Sequence, residues 1–176
     1  MRSTIIVPLS GKGSRFPREK WHLCKPLILV DSRTIIEWSM SCIDYTDCDL
    51  VFVVRKDDVE EFAIDAFLKE KFPGAEVVVI SDITRGAVET CLAAKKFIKP
   101  DAPVIIHCSD VWFSPKFSVA EFNCENDGCI LTFKSNSANY SYPKLDENGY
   151  ITAVAEKKVI SNNAFVGIYW FKSGKD

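Results

Sequence analysis

The chain has no basic field: 22 lysines and arginines stand against 24 aspartates and glutamates, giving a formal net charge of −2 and a pI near 5.8. Without a Lys/Arg stripe interleaved with aromatics, it offers no footprint for polymeric nucleic acid. No apolar run reaches ten residues, and Met1-Arg2 leads into a strand-like segment rather than the apolar core of a signal peptide. Neither a membrane span nor export is therefore indicated, and a cytoplasmic location is expected. C-x-x-C pairs are missing too. The seven cysteines (24, 42, 48, 91, 108, 124 and 129) form an odd set, which in a chain with no export signal predicts reduced thiols, several of them buried as small hydrophobes. His22 and Cys24 lack a second pair of ligands for a zinc site. Repeats, low-complexity segments and linkers are also absent, and 176 residues suit one domain that buries about 70% of its unfolded surface.

What is present is ordered around one stretch, Ile5-Ile6-Val7-Pro8-Leu9-Ser10-Gly11-Lys12-Gly13-Ser14-Arg15-Phe16, followed by Lys25-Pro26-Leu27. Ile5 to Val7 is a short β-branched run suited to a buried central strand. Gly11 and Gly13 supply a loop that can take φ > 0 and expose N–H groups to an anion. Arg15 adds a planar fork and Lys25 a mobile point charge, so a triphosphate would meet loop amides and two cations together. Phe16 stands where G-x-G-x-x-G needs its third glycine, and the P-loop spacing is absent. On spacing alone, a plain glycine turn with Arg15 and Lys25 in solvent competes with the phosphate reading.

Further along, Asp31-Ser32 is expected to cap a helix over 33–46, with Ile35, Ile36, Trp38, Ser39 and Cys42 as its core stripe. Leu50 to Val54 reads as a second buried strand. A helix opening at Asp57-Asp58 is expected to run to the Pro73-Gly74 stop, with Phe62, Ala63, Ala66, Phe67 and Phe72 at helical spacing. Glu76 to Ile80 follows as a strand, then a helix over 87–98 with Val88, Cys91, Leu92 and 94–97 inward, then a strand from Val104 to His107. This alternation predicts an α/β fold with a mostly parallel, Rossmann-like central sheet flanked by helices. Ligands of such sheets sit at the carboxyl ends of the strands. From Phe117 the texture changes: 128–133, 142–145, 150–154 and 165–171 read as an antiparallel extension of the same sheet, with Asn148-Gly149 as a hairpin turn.

Gly11-x-Gly13-Ser14-Arg15-Phe16 followed by Lys25-Pro26-Leu27-Ile28 closely resembles the signature of the sugar-phosphate nucleotidyltransferases, or nucleoside-diphosphate-sugar pyrophosphorylases. The chain looks most like bacterial members of capsule and surface-polysaccharide synthesis. Two small departures stand in the motif, Ser10 where alanine is common and Cys24 where proline usually precedes the lysine. The resemblance implies transfer of a nucleotidyl group from a nucleoside triphosphate to a phosphorylated sugar or similar acceptor, with release of pyrophosphate and Mg²⁺ as metal. Arg15 and Lys25 then act in catalysis by charge and position, and Leu9, Ser10, Gly11, Gly13, Ser14 and Gly86 contact the nucleotide. Gly86 lies in Thr84-Arg85-Gly86-Ala87, which is similar to the family's base-contacting segment.

Asp110, at the end of 105–110, is the candidate metal ligand, since a carboxylate at the end of a central strand points into the crevice. A turn cap is the plainer alternative. No Asp-x-Asp surrounds Asp110, which argues against a sugar transferase. Glu156-Lys157 resembles the family's acceptor-binding pair, and Gly167 in the strand that follows would let the acceptor near the backbone; a solvated charge pair is the alternative there. His22, Cys24 and His107 have no required role, His107 reading as a satisfied core histidine. A catalytically silent nucleotide-binding domain and a glycosyltransferase of the same architecture are the competing functions, and a homo-oligomer is left open. The family's second metal-binding aspartate has no counterpart before residue 176, and Asp176 is too near the last strand to serve. A C-terminally short chain that binds nucleotide but turns over slowly is the resulting expectation.

Overall fold

The computed structural model describes residues 2–11, 13–114, 116–122 and 125–175, with no account of the side chains of residues 18 and 120. In chain order the strands are β1 (Ser3–Pro8), β2 (Leu29–Val30), β3 (Arg33–Thr34), β4 (Ile43–Asp44), β5 (Cys48–Arg55), β6 (Glu76–Ile80), β7 (Val104–His107), β8 (Phe117–Ser118), β9 (Gly128–Lys134), β10 (Tyr142–Leu145), β11 (Ile151–Ala155) and β12 (Asn163–Phe171). The helices are α1 (Arg18–Trp21), α2 (Ile35–Ser41), α3 (Lys56–Phe62), α4 (Ile64–Lys71) and α5 (Ala87–Leu92). Six strands form the main sheet in the order β6-β5-β1-β7-β12-β9. The first four run parallel, whereas β12 is antiparallel to both β7 and β9.

β1 lies between β5 and β7, with Ile5 level with Leu50 on one side and Ile105 on the other. Both its faces are covered, which is why Thr4 to Val7 is an unbroken buried run. Alternation along the strand divides the core in two. Ile5 and Val7 pack with Ile36, Met40, Phe52, Ile64, Leu68, Ile105 and Ile168, whereas Ile6 packs with Val51, Val53, Cys91, Ala94 and Val104 on the other face.

The helices depart from expectation more than the strands do. Asp31 and Ser32 do not cap a helix; both take positive φ (47° and 67°) and turn β2 into β3 as a two-residue hairpin. The cap is Thr34, whose hydroxyl accepts from Glu37 N at 3.2 Å while the Glu37 carboxylate accepts from Thr34 N at 2.9 Å. The buried face of α2 is Ile36, Ser39 and Met40. The helix expected from Asp57 is two, broken where Ala63 enters the left-handed region at φ 49°; Ile64 and Leu68 are buried while Ala63 and Ala66 are exposed. α5 stops at Leu92, and Val88 and Leu92 face solvent at 72% and 58% exposure while Thr90 and Cys91 are buried.

At the antiparallel end β9 and β12 are, among the described residues, the strands that extend the main sheet. β10 and β11 form a separate ribbon, attached through the bond from Phe165 N to Ser141 O at 2.9 Å. Asn148-Gly149 sits inside a longer loop held by Asp146, whose carboxylate accepts from Asn148 N and Tyr150 N. Cys24, Cys42, Cys48 and Cys91 are buried and Cys108 half-buried, none of them in a disulfide. Cys129 is disulfide-bonded, a correction to the expectation of reduced thiols throughout. Cys124 and Asp176 lie outside the described residues.

Candidate active site

The carboxyl ends of β1 and β7 open on a cavity of about 600 Å³. It takes in Leu9, Ser10, Gly11, Gly13, Ser14 and Arg15 from the loop after β1, then Lys25, Gly86 and Asp110 from three other segments. Nine expected site residues, drawn from across the first two thirds of the chain, therefore meet at one place.

The loop is held by the sheet at its start, where Leu9 N donates to Val53 O at 2.8 Å, and by a tight turn from Phe16 N to Gly13 O at 2.7 Å. Gly13 has φ +60°, and a Cβ there would stand 3.2 Å from Lys25 Cβ. Glycine is needed both for the backbone and for the close passage of the lysine stem. Gly86 differs: its backbone is extended, and a Cβ would meet nothing within 4 Å. Among the described residues nothing demands glycine there, and Gly86 lines the cavity.

Lys25 begins a single 3-10 turn over Lys25–Leu27, and its Nζ pairs with Asp110 Oδ2 while lying 5.8 Å over the Phe16 ring. Cation and carboxylate thus neutralise one another across the cavity. An incoming polyanion would draw Lys25 to itself and release Asp110 toward a cation, so the pair is suited to exchange partners with a metal-bound phosphate.

Among the described residues no group of three or more His, Cys, Asp or Glu side chains could hold a metal ion. Asp110 is a single hard oxygen donor. That suits Mg²⁺, which usually takes one or two carboxylates and completes its shell with water and substrate phosphate, and does not suit a metal caged by protein alone.

Several cavity residues carry no mark in the sequence reading. Thr90 and Cys108 line the wall with Thr84 and Ser109. Thr90 Oγ1 lies 2.6 Å from both Ser10 Oγ and Thr84 Oγ1. A hydroxyl on the buried side of a short helix, four residues past Gly86, is the signal that would have found it. Burial, with a smaller push from Asp110, raises the Cys108 thiol to about 11, so it stays protonated at neutral pH.

Behind the wall, His107 is fully buried, with Nε2 3.0 Å from Ser39 Oγ and 3.1 Å from Ser39 O. Ser39 Oγ also donates to Cys108 O at 3.2 Å, tying α2 to the strand end that carries Asp110. His107 is only half satisfied, since Nδ1 is buried with no partner among the described residues. Burial lowers its pKa to about 4 against the opposing pull of Ser39 O and Asp110, so the ring is neutral.

The expected acceptor residues are not brought to this cavity. Glu156 and Lys157 sit in the turn after β11, largely exposed, paired with each other at 3.5 Å, and Lys157 has φ 52°. Gly167 is close to the site but faces the wall: its carbonyl accepts from Cys108 N at 2.9 Å. With φ +100°, a Cβ there would crowd Cys108 Cβ at 3.1 Å and Val111 Cγ1 at 3.3 Å. What lies against Gly167 is β7 and its continuation.

No family model matches the chain, and no curated protein matches it in sequence. Solved structures do match. One, described as a glucose-1-phosphate thymidylyltransferase from Bacillus anthracis in complex with a sucrose, superposes with a TM-score of 0.78 at 21% identity, covering 98% of this chain and 72% of that one. An inositol-1-phosphate CTP transferase from T. maritima gives 0.74 at 19% identity over 97% and 70%. A UDP-glucose pyrophosphorylase complexed with UDP-glucose gives 0.70 at 15% over 98% and 76%. At these identities the likeness is one of architecture, and the chain has the fold of the sugar-phosphate nucleotidyltransferases.

Proposed function

We propose that the cavity binds a nucleoside triphosphate and that the protein transfers its nucleotidyl group to a phosphorylated sugar or similar small metabolite. The observation that carries this is the meeting of the glycine loop, Arg15, Lys25, Gly86 and Asp110 around one cavity at the carboxyl ends of β1 and β7. The motif resemblance and the architecture support the same class.

In the reaction an oxygen of the acceptor phosphate forms a bond to the α-phosphorus, the bond from that phosphorus to the bridging oxygen breaks, and pyrophosphate leaves with the electron pair. No covalent intermediate is required, in keeping with a Cys108 thiol held protonated. The loop amides and Arg15 hold the leaving phosphates. Lys25, turning from Asp110, stabilises charge that grows on the pyrophosphate, and the gain comes from positioning and preorganised charge. Mg²⁺ held by Asp110, when bound, would supply Lewis-acid charge to the phosphate oxygens.

Gly86 gives a nucleobase edge access to backbone. Glu156, Lys157 and Gly167 are retained as acceptor-side residues on the resemblance alone. On the same support we assign the product to activated precursors of surface polysaccharide, made in the cytoplasm where triphosphates are available.

The test is a panel of four nucleoside triphosphates against phosphorylated acceptors, scored for Mg²⁺-dependent pyrophosphate. Release with one pairing supports the reading. Release of a nucleoside diphosphate instead would assign a glycosyltransferase, and triphosphate binding without any release would assign a silent binding domain.

A further inference from the structure

Three hydroxyls join parts of the cavity wall that are far apart in sequence. Ser10 ends the approach to the glycine loop, Thr84 begins the segment that carries Gly86, and Thr90 stands between them on α5. Thr90 Oγ1 is 2.6 Å from each of the other two oxygens, and both it and Thr84 Oγ1 lie 3.2 Å from Gly86 O. Thr90 and Ser10 are both buried.

We propose that Thr90 is a positioning residue that holds the base-facing segment in register with the glycine loop, and so helps determine which nucleobase the cavity accepts. The proposal rests on the nucleoside triphosphate reading above.

Three hydroxyls carry three protons, while four contacts compete for them: Ser10 with Thr90, Thr84 with Thr90, and each threonine with Gly86 O. One contact always lacks a proton. In one arrangement Ser10 donates to Thr90, Thr90 to Thr84 and Thr84 to Gly86 O, and Ser10 then offers only lone pairs to the cavity. When Thr90 instead donates to Ser10, the Ser10 proton is left free for an acceptor on the ligand, and of the two hydroxyls Gly86 O keeps at most that of Thr84. Thr90 has one proton for three neighbours, so what Ser10 offers the ligand and how many hydroxyls engage Gly86 O both depend on where that proton points.

A base edge read at Gly86 is thus coupled to the contact made at the start of the phosphate loop. Such coupling separates correct from incorrect bases, because a wrong edge leaves a buried polar group unpaired. The backbone contributes too, since Thr90 N donates to Gly86 O at 3.1 Å; that bond survives substitution of the side chain, which is why α5 should persist without the hydroxyl.

The experiment measures dissociation constants for four nucleoside triphosphates and for inorganic tripolyphosphate by calorimetry with Mg²⁺, using wild type, Thr90→Val and Thr90→Ser. Thr90→Val is expected to lower the ratio between the best and the next triphosphate about fivefold, the size of one lost neutral hydrogen-bonded link. Tripolyphosphate affinity should stay within about twofold, and Thr90→Ser should restore the ratio. Should Thr90→Val fail to fold, Ser10→Ala cuts the same chain outside α5 and must lower the ratio in the same direction. An unchanged ratio in a folded variant, or a uniform loss that includes tripolyphosphate, would overturn the proposal while leaving the nucleotide reading in place. Absence of triphosphate binding by wild type would overturn both.

Discussion

The parallel half of the sheet and its antiparallel end carry their chemistry in different ways. In the parallel half, the residues expected to hold phosphate and metal hang directly from the ends of β1 and β7, two neighbouring strands whose register is set by burial on both faces. Placement of Gly11, Gly13 and Asp110 follows from the placement of Ile5 and Ile105. At the antiparallel end, Glu156 and Lys157 sit in the exposed turn that leads out of the two-stranded ribbon, paired with each other rather than aimed at the cavity by a buried strand. A motif is informative about geometry in proportion to how firmly its neighbours are packed.

The largest effects should come from the parallel half. Lys25→Ala is expected to lower turnover about a hundredfold or more, as for loss of one preorganised charge contact, with the circular dichroism unchanged. Asp110→Asn should remove the Mg²⁺ dependence of triphosphate binding, and identical metal titrations for variant and wild type would reduce Asp110 to a structural role.

The next effect sharpens the packing side of the comparison. His107 has a folded-state pKa of about 4, below its ordinary 6.5. The unfolded chain therefore takes up a proton first as pH falls, so stability holds above about 6.5 and declines between there and about 4, by about 3 kcal/mol in full. The chain has only two histidines, which makes the window assignable. Denaturant unfolding of wild type and His107→Gln between pH 7.5 and 5 should show the slope in wild type alone.

Gly167 joins the two regions. Gly167→Ala places a Cβ against Cys108 and Val111 in a left-handed backbone, and about 2 kcal/mol of stability should be lost; a variant as stable as wild type would show that the junction has slack. The smallest effect is expected at the ribbon. Lys157→Ala breaks only an exposed pair and should leave triphosphate affinity within about twofold. A tenfold loss of nucleotide affinity would show that the turn after β11 reaches the cavity and would erase the contrast.

Much of the sheet is legible in the sequence. β6, β7 and β10 occupy the stretches expected of them, because short apolar runs bounded by turn residues have few other uses in a buried sheet. The helices are less legible. The break at Ala63 carries neither glycine nor proline and the apolar spacing continues across it, so only the left-handed backbone reveals it. Asp31-Ser32 has the chemistry of a cap and of a hairpin alike, and Thr34 with Glu37 takes the cap. In the site, Gly13 and Lys25 announced themselves by residue type. Thr90 did not, since a threonine in a helix becomes a site residue only when the fold sets it against Ser10 and Thr84.

The most direct test of the central claim is a titration of the 176-residue chain with each of the four nucleoside triphosphates, with and without Mg²⁺, beside Lys25→Ala. The account predicts saturable, Mg²⁺-strengthened binding of at least one triphosphate, weakened about tenfold or more when Lys25 is lost. Absence of binding by all four, or binding that Lys25→Ala leaves unchanged, would contradict it.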